Sequence, residues 1–280
     1  MDFASASRAL PEPITSASNP LIKRIRGLGS RTGRRKAGLF LAEGESVVRE
    51  ALSACCADIE EIVISSSFDR LDSLLENLPE NSDCPPLKVV DEKLFKEVSG
   101  TETPLGIIAL VKLPQNDRSA VLGLKNALVT VACSISDPGN LGTIIRSSLA
   151  FGADAVLLTR GSVDPYNPKV VRAAAGALFA LPVIEDVDAP ELLNEAKAAG
   201  VQVVSLAASG HKTLKEVDFK KASLILIGNE AHGIDQDLLE KSDLVASIPI
   251  AKRSESLNAA VAHSIALYEA SDQRRKIQSS

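Results

Sequence analysis

The chain has 280 residues, of which 45% are apolar and 24% charged, and its net charge is −5. This balance supports one large or two ordinary domains with a real core and excludes collagen-like, coiled-coil and wholly disordered chains. No stretch approaches ~18 uncharged apolar residues, so no membrane span is expected.

The opening MDFASASRAL lacks the apolar run of a secretion signal. Cys55, Cys56, Cys84 and Cys133 form no C-x-x-C pair, and three scattered histidines do not make a zinc site. The expectation is a soluble, cytoplasmic protein with reduced thiols and no metal.

The net charge hides an asymmetry. Residues 1–36 carry eight basic side chains against two acidic ones, a net +6, which leaves −11 on the remainder. A basic arm on an acidic body suits phosphate binding, with Lys23, Arg24, Arg26, Arg31, Arg34, Arg35 and Lys36 as candidate nucleic-acid contacts. A solvated terminus fits the same charges equally well. With no Trp and two Tyr, a broad aromatic platform for stacking bases is not expected.

In chain order, residues 1–18 read as a tail and 21–28 as a short basic helix, broken by Gly27, Gly29 and Gly33. Strands are expected at Leu39–Ala42, Ile62–Ser65, Leu87–Val90 and Leu105–Val111, with helices near 45–56, 68–78 and 91–98. The polar stretch 112–119 reads as a domain boundary. The expected organisation is thus a basic extension over 1–36, a small α/β domain over 37–113 and a larger domain over 120–280.

The larger domain alternates strands with helices. Apolar runs at Leu128–Cys133, Ala155–Thr159, Leu181–Ile184, Val201–Leu206, Leu224–Ile227 and Leu244–Ile248 suit a parallel sheet covered on both faces. Helices fit near 140–151, 168–176, 190–199, 235–241 and 256–276. The last presents Leu257, Val261, Ile265 and Tyr268 as one apolar stripe.

Ligands of open parallel sheets sit beyond the carboxyl ends of the strands, which directs attention to the loops there. No G-K-[S/T] motif exists, so a P-loop is excluded. After the first strand comes Ser136-Asp137-Pro138-Gly139-Asn140-Leu141-Gly142, then Arg146 one turn beyond Gly142. Asn140 reads as the helix cap, and Gly142 as a point of close approach for another backbone or a ligand. Gly228-Asn229-Glu230-Ala231-His232-Gly233 follows a buried strand and has one acid in its middle. Ile248-Pro249-Ile250 leads to Ser256-Leu257-Asn258 at the start of the last helix, where Ser and Asn usually cap. A serine hydrolase lacks support, because no G-x-S-x-G elbow is present.

These residues together resemble the SpoU/TrmH branch of the SPOUT methyltransferases. Asn140-x-Gly142-x-x-x-Arg146 with Phe151-Gly152 matches the first motif of that family, Gly228-x-Glu230-x-x-Gly233 the second, and Ile248-Pro249-Ile250 with Ser256-Leu257-Asn258 the third. The Asp164–Arg172 stretch also resembles the segment between the first two motifs. Two positions depart from the pattern: Lys252 replaces a usual glycine and Ala174 a common serine. The resemblance spans 120–270, and the unit around Phe40–Gly44 resembles the substrate-binding domain that precedes many members.

The resemblance implies an α/β fold whose C-terminal parallel-sheet SPOUT domain carries a deep trefoil knot, preceded by a small α/β substrate-binding domain. It implies methyl transfer from S-adenosylmethionine to a ribose 2′-hydroxyl of RNA, ribosomal RNA ahead of transfer RNA, by a homodimer and without a metal. Arg146, Asn140, Glu230, Ser256 and Asn258 would be catalytic, and Leu206, Gly228, Asn229, Ile248, Ile250 and Leu257 would hold the cofactor. A guanidinium is effectively always charged, so Arg146 suits phosphate binding and alkoxide stabilisation better than proton abstraction. The alternative is a non-catalytic RNA-binding or ribosome-associated protein on the same fold.

Overall fold

The computed structural model describes residues 10–55, 58–75, 85–101 and 103–278. Residues 1–9 of the expected tail, Cys56, Cys84 and the end of the helix expected at 68–78 lie outside the described residues. The chain divides into two compact units, Met1–Leu113 and Pro114–Ser280.

The first unit runs α1 (Pro20–Leu28), α2 (Arg31–Ala37), β1 (Leu39–Glu43), α3 (Glu45–Cys55), β2 (Ile59–Ser65), α4 (Leu71–Leu75), β3 (Leu87–Val90), α5 (Glu92–Val98) and β4 (Ile107–Lys112). Its sheet has the order β1-β4-β2-β3, with β4 antiparallel to both neighbours and β2 parallel to β3. Asn19 caps α1 by accepting the Leu21 N–H at 2.9 Å, and Pro20 stands where no N–H is needed.

The basic segment does not stand off this unit as an arm. Ile22, Ile25 and Leu28 are buried with Leu39, Val90 and Phe95 in one core cluster, each contributing about 1.5–3 kcal/mol by leaving water. The glycines read as breakers instead permit a second helix. Ser30 caps α2 through the Gly33 N–H at 3.1 Å. A Cβ on Gly33 would stand 1.9 Å from the Gly27 carbonyl oxygen, so only glycine allows this approach.

The second unit runs α6 (Arg118–Leu122), β5 (Leu128–Ala132), α7 (Pro138–Ala150), β6 (Ala155–Thr159), α8 (Pro168–Ala174), β7 (Val183–Val187), α9 (Ala189–Ala198), β8 (Gln202–Leu206), β9 (Lys212–Thr213), β10 (Ser223–Ile227), α10 (Gln236–Lys241), β11 (Leu244–Ser247) and α11 (Ala259–Gln278). Its seven strands pair in parallel in the order β7-β6-β5-β10-β8-β11-β9. Every residue of β5, β6 and β10 is buried, as in a sheet covered on both faces.

Three elements differ from expectation. The boundary stretch expected at 112–119 runs at its end into α6 (Arg118–Leu122), whose Arg118 pairs with Glu191 and Glu195. The strand expected at Leu181–Ile184 lies at Val183–Val187, because Pro182 has no N–H to give and only its carbonyl pairs, with Val156 N–H at 2.9 Å. As the sheet's edge, β7 continues through polar Glu185 and Asp186, with an irregularity at Asp186 (φ +57°). The short β9 carried no signal of its own.

β9 has a topological consequence. β11 pairs with β8 on one side and β9 on the other, so residues 207–211 pass across it. Gly210 makes the crossing: a Cβ there would lie 2.5 Å from the Ala246 carbonyl carbon. No helix among the described residues is long and apolar enough to cross a membrane. Cys133 is buried and unpaired, and burial raises its thiol pKa to about 12.

Candidate active site

Three loops at the carboxyl ends of β5, β10 and β11 converge. Turn chemistry shapes the first: Asp137, not Asn140, caps α7, its Oδ1 accepting the Asn140 N–H at 2.7 Å. The correction matters because it leaves the Asn140 side chain unspent. Asn140 Nδ2 donates to Glu230 Oε1 at 2.8 Å, and its Oδ1 accepts from Asn258 Nδ2 at 2.9 Å. Asn258 Oδ1 then accepts the Ala260 and Val261 N–H groups at 2.9 and 3.2 Å, capping α11.

Glu230 is the acceptor at the centre of this chain. Its Oε2 accepts from the Ser136 hydroxyl at 3.1 Å and the Ser136 N–H at 3.3 Å, and its Oε1 from the Asp137 N–H at 3.3 Å. Desolvation opposes the charge. Hydrogen bonds from the Asn140 side chain and from the backbone N–H groups of Glu230, Ser136 and Asp137 outweigh it, holding the carboxyl below its usual range.

The loop bearing Glu230 is held tightly. Asn229 and Gly233 exchange two backbone hydrogen bonds of 2.9 Å. A Cβ on Gly228 would lie 2.2 Å from the Gly233 carbonyl carbon. The Asn229 side chain donates to the Ser134 carbonyl at 2.7 Å and accepts the Ala231 and His232 N–H groups. Its polar groups are therefore committed to shaping the loop, which does not favour the ligand contact expected of it.

Arg146 is exposed on α7 and makes no hydrogen bond or ion pair with the described residues. Gly142, one turn earlier, is buried: a Cβ would stand 2.4 Å from that of Ala173, so the close approach there is to α8 and not to a ligand. Ala174 is fully buried, which removes it from direct contact with RNA, whereas Lys252 is exposed. Ser256 is exposed and stands outside the Glu230–Asn140–Asn258 chain, its carbonyl accepting the Ser254 hydroxyl at 3.2 Å. Ser256 does not cap the last helix; Asn258 does.

The residues expected to hold a cofactor sit at the ends of three adjacent strands, β10, β8 and β11. Leu206 closes β8, Gly228 follows β10, and half-buried Ile248 and exposed Ile250 follow β11, with Leu257 half-buried before α11. Apolar side chains beside open backbone edges fit an adenosyl group and an aliphatic amino-acid chain. No group of three or more His, Cys, Asp or Glu placed to hold a metal occurs among the described residues.

Of the candidate RNA contacts, Lys23, Arg26, Arg31, Arg35 and Lys36 are exposed on α1 and α2. Arg24 pairs with Glu60 and Arg26 with Glu97. Arg34 is withdrawn from the set: it is 3% exposed and donates to the Leu28 carbonyl at 2.8 Å, joining α2 to α1.

The family model of SpoU rRNA methylases matches residues 127–268. The chain belongs to that family. A second model, the MRM3-like substrate binding domain, matches residues 19–109 and so takes in both basic helices.

Two relatives of nearly full length are named for their activities. The 23S rRNA (guanosine(2553)-2′-O)-methyltransferase RlmP of Bacillus subtilis is 35% identical over 91% of this chain and 97% of its own. The 23S rRNA (uridine(2479)-2′-O)-methyltransferase of Streptomyces viridochromogenes is 30% identical over 88% of this chain and 87% of its own. Among solved structures, the SpoU methyltransferase AviRb of Streptomyces viridochromogenes, in complex with the cofactor AdoMet, has a TM-score of 0.81 at 28% identity. That likeness covers 92% of this chain and 98% of AviRb.

Sequence reasoning named Asn140, Glu230 and Asn258 but missed Ser136 and Asp137 as the groups that hold Glu230. The Ser-Asp-Pro-Gly run was visible as a turn. The Ser136 and Asp137 N–H groups stand at and before the cap of α7, where no helix carbonyl can take them, and both meet Glu230.

Proposed function

We propose that this protein transfers the methyl group of S-adenosylmethionine to a ribose 2′-hydroxyl of RNA, and that the RNA is ribosomal. One observation carries the reading: the loops after β5, β10 and β11 meet through the hydrogen-bonded chain Glu230–Asn140–Asn258, beside the strand ends that suit the cofactor. Two relatives of nearly full length, both named as 23S rRNA 2′-O-methyltransferases, favour ribosomal over transfer RNA. Nothing in those relatives favours a non-catalytic binding protein.

When bound, S-adenosylmethionine supplies an electrophilic methyl group. This chain's own residues must hold the ribose in line and stabilise the oxygen as its proton passes to solvent water. Arg146, without a partner among the described residues and permanently charged, suits the phosphate beside the target and the developing alkoxide. Glu230, held below the usual carboxylate range, is a poor base and acts by orienting Asn140 and Asn258. Leu206, Gly228, Ile248, Ile250 and Leu257 would line the cofactor, with Ser256 in the same loop.

Three further elements belong to the proposal. The protein is a homodimer through α11 and α7, where Val261, Ile265, Tyr268 and Leu149 expose an apolar stripe. The crossing of β11 by residues 207–211 supports the trefoil threading that the fold family implies. Exposed Lys23, Arg31, Arg35 and Lys36 on α1 and α2 contact RNA phosphates in a cytoplasmic protein.

Purified protein incubated with methyl-labelled S-adenosylmethionine and undermodified ribosomal RNA tests the reaction. Alkaline digestion should leave the label in resistant dinucleotides, because a 2′-O-methyl blocks cleavage of its own phosphodiester. Label in mononucleotides would mean base methylation. A protein that binds RNA without labelling any substrate, and without binding the cofactor by calorimetry, would be the non-catalytic alternative.

A further inference from the structure

Beneath the active site, three polar side chains are buried together. Thr130 of β5, Ser148 of α7 and His263 of α11 are each 0% exposed. Thr130 Oγ1 lies 2.9 Å from Ser148 Oγ and 2.9 Å from His263 Nε2. His263 Nδ1 is buried with no partner among the described residues. An orphaned buried N–H is rarer than an under-used acceptor, which favours the tautomer with Nε2–H donating to Thr130 and Nδ1 bare.

The three elements tied here carry the reaction's machinery. β5 runs into the loop of Ser136 and Asp137, α7 bears Asn140 and Arg146, and α11 begins just after Asn258. α7 and α11 pack directly on each other. Apolar packing is non-directional, whereas a buried hydroxyl bonded to both helices adds a penalty for any shift that breaks those bonds.

We propose that Thr130, with His263 and Ser148, is a positioning residue for methyl transfer: it sets the register of α11 and α7 so that Asn258 and Asn140 meet over Glu230. The proposal rests on the methyltransferase reading for its kinetic consequence but not for its structural one. Thr130→Val keeps the shape and removes the hydroxyl; Thr130→Ser keeps the hydroxyl.

Hydrogen exchange at the Ala260, Val261 and Ala262 amides reads the register without any activity. Thr130→Val should speed exchange there by about tenfold while α9 amides stay as in the parent protein, and Thr130→Ser should restore protection. A uniform rise, or none, overturns the proposal, since it would mean lost global stability or no role at all.

In steady-state methylation of ribosomal RNA, kcat of Thr130→Val should fall about tenfold, with KM for RNA and cofactor within about twofold, under conditions where the protein is fully folded. Thr130→Val turning over like the parent also overturns it. A parent protein that methylates nothing condemns the functional reading instead, and the exchange result still decides this one.

Discussion

Asn258 donates its side-chain amide to Asn140 Oδ1 at 2.9 Å, and Glu230 sets the direction of that bond. An ionised carboxylate only accepts, so Asn140 must turn its NH2 toward Glu230. Its oxygen is then left for the NH2 of Asn258, whose own oxygen is left for the first N–H groups of α11. A single charge thus orients two amides and fixes where the last helix begins.

Breaking this chain should cost rate more than fold. Asn140→Asp places a second carboxylate against Glu230 and removes the donor, and we expect kcat to fall about 100-fold. The acid limb follows from the sign of the shift. Glu230's pKa is lowered, so the network persists above that pKa and is lost only as pH falls through it, below the ordinary value of about 4.3. In Asn140→Ala the limb should move to higher pH, because a donor to the charged form has gone. A pH–rate profile of the two proteins measures both effects.

Arg146 offers a cleaner separation. It is exposed and has no partner among the described residues, so Arg146→Ala should leave thermal stability within about 0.5 kcal/mol. Methyl transfer should fall by about 100-fold or more, with affinity for S-adenosylmethionine within about twofold. Calorimetry beside single-turnover kinetics checks the split. A variant that methylates normally would remove Arg146 from the mechanism.

The parts of this molecule legible from sequence are those with local causes. Strand runs such as Leu224–Ile227 and the glycine-bearing loop from Gly228 to Gly233 announce themselves within a few residues. What stayed hidden depends on distance along the chain: Asn140 meets Glu230 across 90 residues and Asn258 across 118. Likewise α2 read as a broken segment because Gly33 was weighed as a helix breaker. Its fit against Gly27 is visible only once both helices are placed.

The same inversion yields a test at Gly142. Helix propensity alone says that Gly142→Ala should stabilise α7 by about 1 kcal/mol. The new methyl would stand 2.4 Å from Ala173 Cβ and 3.0 Å from the Ala174 nitrogen, so α8 has to retreat. We expect net destabilisation of about 1–3 kcal/mol, the usual cost of overpacking, measured by urea unfolding.

His263 gives the protein a pH dependence with a definite sign. Burial lowers its pKa to about 3 in the fold, while an unfolded imidazole takes its proton near pH 6.5. Between those values the unfolded chain binds the extra proton, so stability falls as pH drops from about 6.5 toward 3 and is level above that window. At pH 5 this amounts to about 2 kcal/mol relative to neutral pH. The parent protein should therefore lose about that much more between pH 7 and pH 5 than His263→Leu does, because carboxylates contribute alike to both. Denaturant midpoints at the two pH values provide the comparison. Equal losses in the two proteins would show that His263 carries its proton inside the fold.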